Sequence, residues 1–230
     1  MKYSAYLYGS SARGDASMDS DTDILVICED ASIFDIKKIE LPSDILRNIL
    51  FEDISVYSID RITEMHQQGH LYTWHLYQES KFIAGDVDRI SLLGSPGSYI
   101  GFEQDVKPLM ELLDSIPSQL LATKGNSTYE AGLIYICARN IAMAVSYFLP
   151  NGLCFKSSAP FEISNKGITF PLTKDIYQDL RTCRLAGSRG LDGVKWNTSD
   201  LINIAEKTKV WASGLVELVG GFNDEANVFG

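Results

Sequence analysis

The sequence predicts an α+β protein, with a mixed-sheet domain over residues 1–95 and an all-helical domain over residues 96–230. Three observations predict it. Residues 3–8 alternate and residues 24–28 form an unbroken apolar run, the patterns of a half-buried and of a covered central strand, and alternation returns at 51–59. Beyond residue 96 apolar residues recur at helical spacing, over 102–122, 127–149, 172–186 and 198–219. Between the two patterns, Gly94-Ser95-Pro96-Gly97-Ser98 gathers turn formers and marks a boundary.

The first strand puts Tyr3, Ala5 and Leu7 on one face and Ser4, Tyr6 and Tyr8 on the other. Gly9 permits a turn and Ser10 adds a hydroxyl there, while residues 11–20 are too polar for a core element. Asp21 and Asp23, one residue apart at the head of the second strand, point to the same face. Neighbouring carboxylates repel unless a positive charge lies between them. A metal ion carrying phosphates meets that need, with the phosphates received by Gly9 and Ser10.

Pro42-Ser43-Asp44 predicts a helix from about residue 43. In the strand that follows, Ile54 and Val56 share one face, and Asp53 and Ser55 share the other. Asp53 is the candidate third carboxylate; a bulge would exchange it for Glu52, and a site with no third carboxylate is the remaining alternative. Residues 60–84 read as helical with a break at Gly69. His66, His70 and His75 read as packing or surface residues, because the first pair lacks the glutamate of a zinc-protease motif and Gly69 weakens its helix.

A hydrophobic content of 45% with 10% aromatics supports a core and excludes a disordered chain. Most of the net charge of −10 falls in residues 1–95, where 16 Asp and Glu stand against 8 Lys and Arg. Such a surface does not suit a phosphate backbone, so nucleic acid is not an expected partner, although Arg181, Arg184, Arg189 and Lys195 form one basic cluster. Cys28, Cys137, Cys154 and Cys183 are widely spaced, which fits free thiols in a cytoplasmic protein. No run reaches the ~18 apolar residues of a membrane span, and no basic-then-apolar leader opens the sequence. The dinucleotide fingerprint, the Walker A lysine loop and a close Cys/His zinc cluster are all missing.

Gly9-Ser10, the ten residues from Ser11 to Ser20, and Asp21-Thr22-Asp23 at a strand start together resemble the nucleotidyltransferase superfamily related to DNA polymerase beta. Arg13-Gly14 and Ser20 extend the likeness, and residues 75–85 are similar to the element that closes many small domains of this type. The resemblance implies magnesium-dependent transfer of a nucleoside monophosphate from a nucleoside triphosphate, with ATP expected, to an acceptor hydroxyl. Asp21 and Asp23 would hold two magnesium ions. Asp53 would hold one of them and orient or deprotonate the acceptor, while Gly9, Ser10, Arg13 and Ser20 would bind the nucleotide.

In the second half, Pro117 is expected to end or kink the first helix, and Pro150-Asn151-Gly152 to stop the second. Residues 184–190 read as a basic, mobile connector, and Gly220-Gly221 as the stop of the last helix. This half resembles the helical substrate-binding module of aminoglycoside adenylyltransferases, which implies a small-molecule acceptor of aminoglycoside-like type. Glu130 and Arg139 are candidate substrate contacts; helix capping accounts equally for Glu130, and an ion pair or surface position for Arg139. A protein acceptor, as in antitoxin-type enzymes, is the alternative with the same chemistry. A nucleotide-binding or interaction module without catalysis is the alternative of a different class. Self-association stays open.

Overall fold

A computed structural model describes residues 2–16, 22–46, 54–123, 127–163, 167–189 and 193–226. The chain divides into two compact units, Met1–Gly101 and Phe102–Gly230. The first unit therefore takes residues 96–101 with it.

The first unit is a four-stranded mixed sheet, order β3-β2-β1-β4, built from β1 (Tyr3–Tyr8), β2 (Asp23–Cys28), β3 (Ile54–Ser58) and β4 (Lys81–Gly85). β1 runs antiparallel to β2 and β4, and β2 runs parallel to β3. The alternation read from the sequence sets its two faces. Tyr6, Leu25 and Ile27 pack with Ile62, Leu76 and Ile90, while Ala5, Ile24 and Val26 pack with Leu41. Both faces are covered, which is why β2 is apolar throughout after Asp23.

The helices of this unit are short: α1 (Gly9–Arg13), α2 (Ser43–Leu46), α3 (Ile59–Gln67), α4 (Leu71–Glu79) and α5 (Arg89–Leu93). Two departures from expectation stand out. Part of the polar stretch after Gly9 is helical, closed by Gly14 in the left-handed region (φ 81°), whose N–H donates to Ser10 O at 3.0 Å. Residues 81–85, read as the end of a helical segment, are instead the edge strand β4, because tertiary pairing with β1 overrides the local pattern.

The Gly94–Ser98 stretch is strapped to the α3–α4 corner. The Gly97 N–H donates to His66 O at 2.9 Å, the Trp74 indole N–H donates to Gly97 O at 3.0 Å, and His66 Nε2 lies 3.0 Å from Gly94 O. His66 is only 7% exposed, a packing histidine. Among the described residues no helix is long and apolar enough to cross a membrane.

The second unit is helical: α6 (Phe102–Thr123), α7 (Ser127–Ser146), α8 (Ala159–Glu162), α9 (Lys174–Arg189) and α10 (Thr198–Ala226). α7 is its buried centre, packed against α6, α9 and α10. Two helices run past their expected stops, and a third passes the proline expected to end or kink it. α6 continues through Pro117, because Val106, Leu113, Ile116 and Leu120 on its inner face are buried; the Ser115 and Ser118 hydroxyls also donate to the carbonyls of Leu112 and Ser115 in the adjoining turns. α9 extends to Arg189 through most of the expected connector. α10 passes Gly220 and Gly221, since glycine weakens a helix but stops it only when it turns left-handed.

Candidate active site

The corner where β1 ends and β2 begins gathers the motif. Tyr8, the last residue of β1, lies opposite Asp23, the first residue of β2. Between them Gly9 adopts φ 67°, a left-handed conformation that disfavours any side chain. Its Cα side faces the carboxylate: a Cβ added there would sit 2.7 Å from Asp23 Oδ2. Glycine is therefore required twice, by the turn and by the approach of Asp23. α1 starts at this point with no side-chain cap at its N-terminus.

Arg13, at the other end of α1, is not free to meet a ligand. Its Nε donates to Asp15 at 3.1 Å, and its Nη1 is paired with Glu79 of α4. Glu79 also receives His75 Nε2 at 2.8 Å. Burial alone would push the Glu79 carboxyl up, but the bonds from His75 and Arg13 outweigh it and hold the group below the usual carboxylate range. This half-buried trio ties α1 to α4.

An aromatic wall stands behind Asp23. Tyr8 meets the Tyr72 ring edge-on at 6.0 Å and the His75 ring at 5.7 Å, and Tyr57 of β3 lies 5.9 Å from Tyr72. Burial holds the Tyr8 and Tyr72 hydroxyls protonated, and the negative charge of Asp23 adds to this at both. Ser55, opposite Leu25 in the parallel ladder, belongs to the same neighbourhood and interacts with the Tyr8 hydroxyl.

The structure thus brings Gly9 and Asp23 together, with Ser10 next to Gly9 in α1, and turns Arg13 to Asp15 and Glu79 at the other end of that helix. Ser20, Asp21, Glu52 and Asp53 lie outside the described residues. Among the described residues no cluster of three His, Cys, Asp or Glu forms a metal site. The part that is described suits a hard divalent cation, because Asp23 offers carboxylate oxygen beside a backbone turn stripped of its side chain. Tyr8, Tyr72, His75 and Glu79 were not singled out as site residues from the sequence. Only Tyr8 carried a usable signal, since strand alternation with Asp23 opposite places both on one face.

Glu130 and Arg139 both belong to α7 in the second unit. Glu130 is 4% exposed, and its buried Oε2 has no hydrogen-bond partner. Arg139 donates to Phe155 O at 3.3 Å and to Asn140 Oδ1 at 3.4 Å, which ties it to the chain after α7.

Residues 3–83, from the start of β1 into β4, match the family described as polymerase beta, nucleotidyltransferase. No curated protein matches the chain. Among solved structures, spectinomycin adenyltransferase AAD(9) from Enterococcus faecialis, determined with ATP and spectinomycin, shares 10% identity. The likeness covers 92% of each chain at a TM-score of 0.46, which fixes neither substrate nor site residues. The family match and the corner formed by Gly9 and Asp23 coincide in one unit: residues 3–83 are a nucleotidyltransferase domain of the polymerase beta type.

Proposed function

We propose that the protein transfers a nucleoside monophosphate, from ATP, to a hydroxyl of a small cationic polyol of aminoglycoside-like type. The observation that carries this reading is the left-handed Gly9 turn built against the Asp23 carboxylate inside a nucleotidyltransferase domain. In this reading the backbone of Gly9 and Ser10 takes the β- and γ-phosphates, where a side chain would bar them. Magnesium ions held by Asp21, Asp23 and Asp53 would supply charge screening for the triphosphate and acidify the acceptor hydroxyl.

The acceptor oxygen bonds to the α-phosphorus as the bond from that phosphorus to the bridging oxygen breaks, and pyrophosphate leaves. Asp53 receives the acceptor proton. Arg13, already engaged by Asp15 and Glu79, keeps α1 in place and so acts on the nucleotide through the backbone. The acidic surplus of the first 95 residues favours a cationic acceptor.

The test is transfer of label from α-labelled ATP into a cell extract, with pyrophosphate release followed with and without magnesium. Asp21→Ala and Asp23→Asn are expected to lose more than ~100-fold in rate while keeping their fold. Label in the small-molecule fraction supports the acceptor class proposed, whereas label on protein refutes it. A folded protein that neither binds nucleotide nor releases pyrophosphate refutes the reaction itself.

A further inference from the structure

One buried hydroxyl of the first unit has no partner in the fold. Tyr72 Oη is shielded from solvent and has no hydrogen-bond partner, although the Tyr8 hydroxyl lies near enough to interact with it. A phenol in that state is worse off than a phenylalanine would be, so the oxygen calls for an explanation. Its ring is held from two sides, by Tyr8 at 6.0 Å and Tyr57 at 5.9 Å, so the hydroxyl cannot readily swing to water.

Tyr6, on the same face of the sheet, shows what a structural tyrosine looks like here. Its hydroxyl donates to Asp88 Oδ1 at 3.1 Å and accepts from the Ile90 N–H at 3.0 Å. Tyr72 has no such bonds. What its hydroxyl does have is a position beside the strand-end pair of Tyr8 and Asp23, close enough for the charge of Asp23 to act on it.

We propose that Tyr72 is a positioning residue of the nucleotide site, whose hydroxyl donates to the Asp23 carboxylate once cation and triphosphate are bound and fixes that carboxylate's orientation. The inference rests on the nucleotidyl-transfer reading. It explains why a polar atom is kept in an otherwise aromatic wall: loading the site supplies the acceptor that the fold withholds.

The test compares Tyr72→Phe with Tyr6→Phe, each losing one oxygen from the same sheet face. Three quantities are measured: the thermal midpoint without ligand, the calorimetric affinity for a non-hydrolysable ATP analogue with magnesium, and kcat with KM. Tyr72→Phe is expected to keep or raise the midpoint while analogue affinity or kcat falls about tenfold, the size of one charge-assisted hydrogen bond. Tyr6→Phe is expected to do the reverse, with a lower midpoint and unchanged binding and turnover. Unchanged affinity and turnover in Tyr72→Phe overturn the inference, and so does a lowered midpoint, which would reveal a structural partner. A wild-type protein that fails to bind the magnesium analogue refutes the nucleotidyl reading and the inference with it. Binding by the wild type beside an indifferent Tyr72→Phe refutes the inference alone.

Discussion

Asp23 and Glu130 are acidic residues at the start of an element in each unit, and the fold treats them differently. Around Asp23 the chain has made room: Gly9 turns left-handed against the carboxylate, Tyr8 lies across the ladder, and an aromatic wall stands behind. Around Glu130 the chain has closed in, leaving the residue 4% exposed and one of its oxygens without a partner. The first carboxylate has neighbours whose conformations make sense only with it, whereas the second has burial. The comparison teaches that a functional site is recognised by what adjoining residues give up for it, more than by how unusual the charged residue itself is.

The largest expected effect comes from removing that concession. Gly9→Ala forces a side chain into φ 67° and a Cβ to 2.7 Å from Asp23 Oδ2. It should cost about 1 kcal/mol of stability and ~100-fold in nucleotidyl transfer, measured by denaturant titration and pyrophosphate release. Wild-type activity in this variant would break the comparison. Next is Gly97→Ala, whose Cβ would meet Gln67 O at 2.3 Å; this should cost about 2–3 kcal/mol in the same titration through the strap alone.

Glu79→Gln should cost about 2 kcal/mol by loosening α1 from α4. Because the Glu79 carboxyl is depressed in the folded state, its contribution is complete above the ordinary value of 4.5 and is lost as pH falls below it toward the folded value. The midpoint difference between wild type and Glu79→Gln is therefore expected to stay level above pH 4.5 and to shrink below it, followed by thermal melts across acid pH. The smallest effect is expected from Glu130→Gln, which keeps the shape and removes a buried charge. Its midpoint should be unchanged or raised by the equivalent of about 1 kcal/mol or less. A large loss there would show that Glu130 has built surroundings after all, and would put the two carboxylates on the same footing.

Much of the first unit was legible because strands announce themselves at short range. Tyr3, Ala5 and Leu7 against Tyr6 and Tyr8 can be assigned to opposite faces from alternation alone, and the structure packs them so. The corner of Gly9 and Asp23 was legible because its chemistry depends on spacing. β4 was not, since a five-residue edge strand is defined by its partner β1 and hardly by its own pattern. The ends of α9 and α10 were misread for the opposite reason: local stop signals at residues 184–190 and Gly220-Gly221 yield to the packing of long helices. The approach of Tyr72 and His75 to Tyr8, and the pairing of Arg13 with a glutamate 66 residues away, are products of tertiary approach with no local trace.

The strap over the α3–α4 corner bears on how the first unit would survive alone. Severing the chain after residue 95 would take away the carbonyl that the Trp74 indole N–H uses and the amide that His66 O accepts. Water would then reach the indole, whose emission should move to longer wavelength. Severing it after Gly101 would leave both bonds in place, and this fragment, in which Trp74 is likewise the one tryptophan, should emit at shorter wavelength than the fragment that ends at residue 95. Trp74 thus doubles as an optical gauge of where the first unit ends.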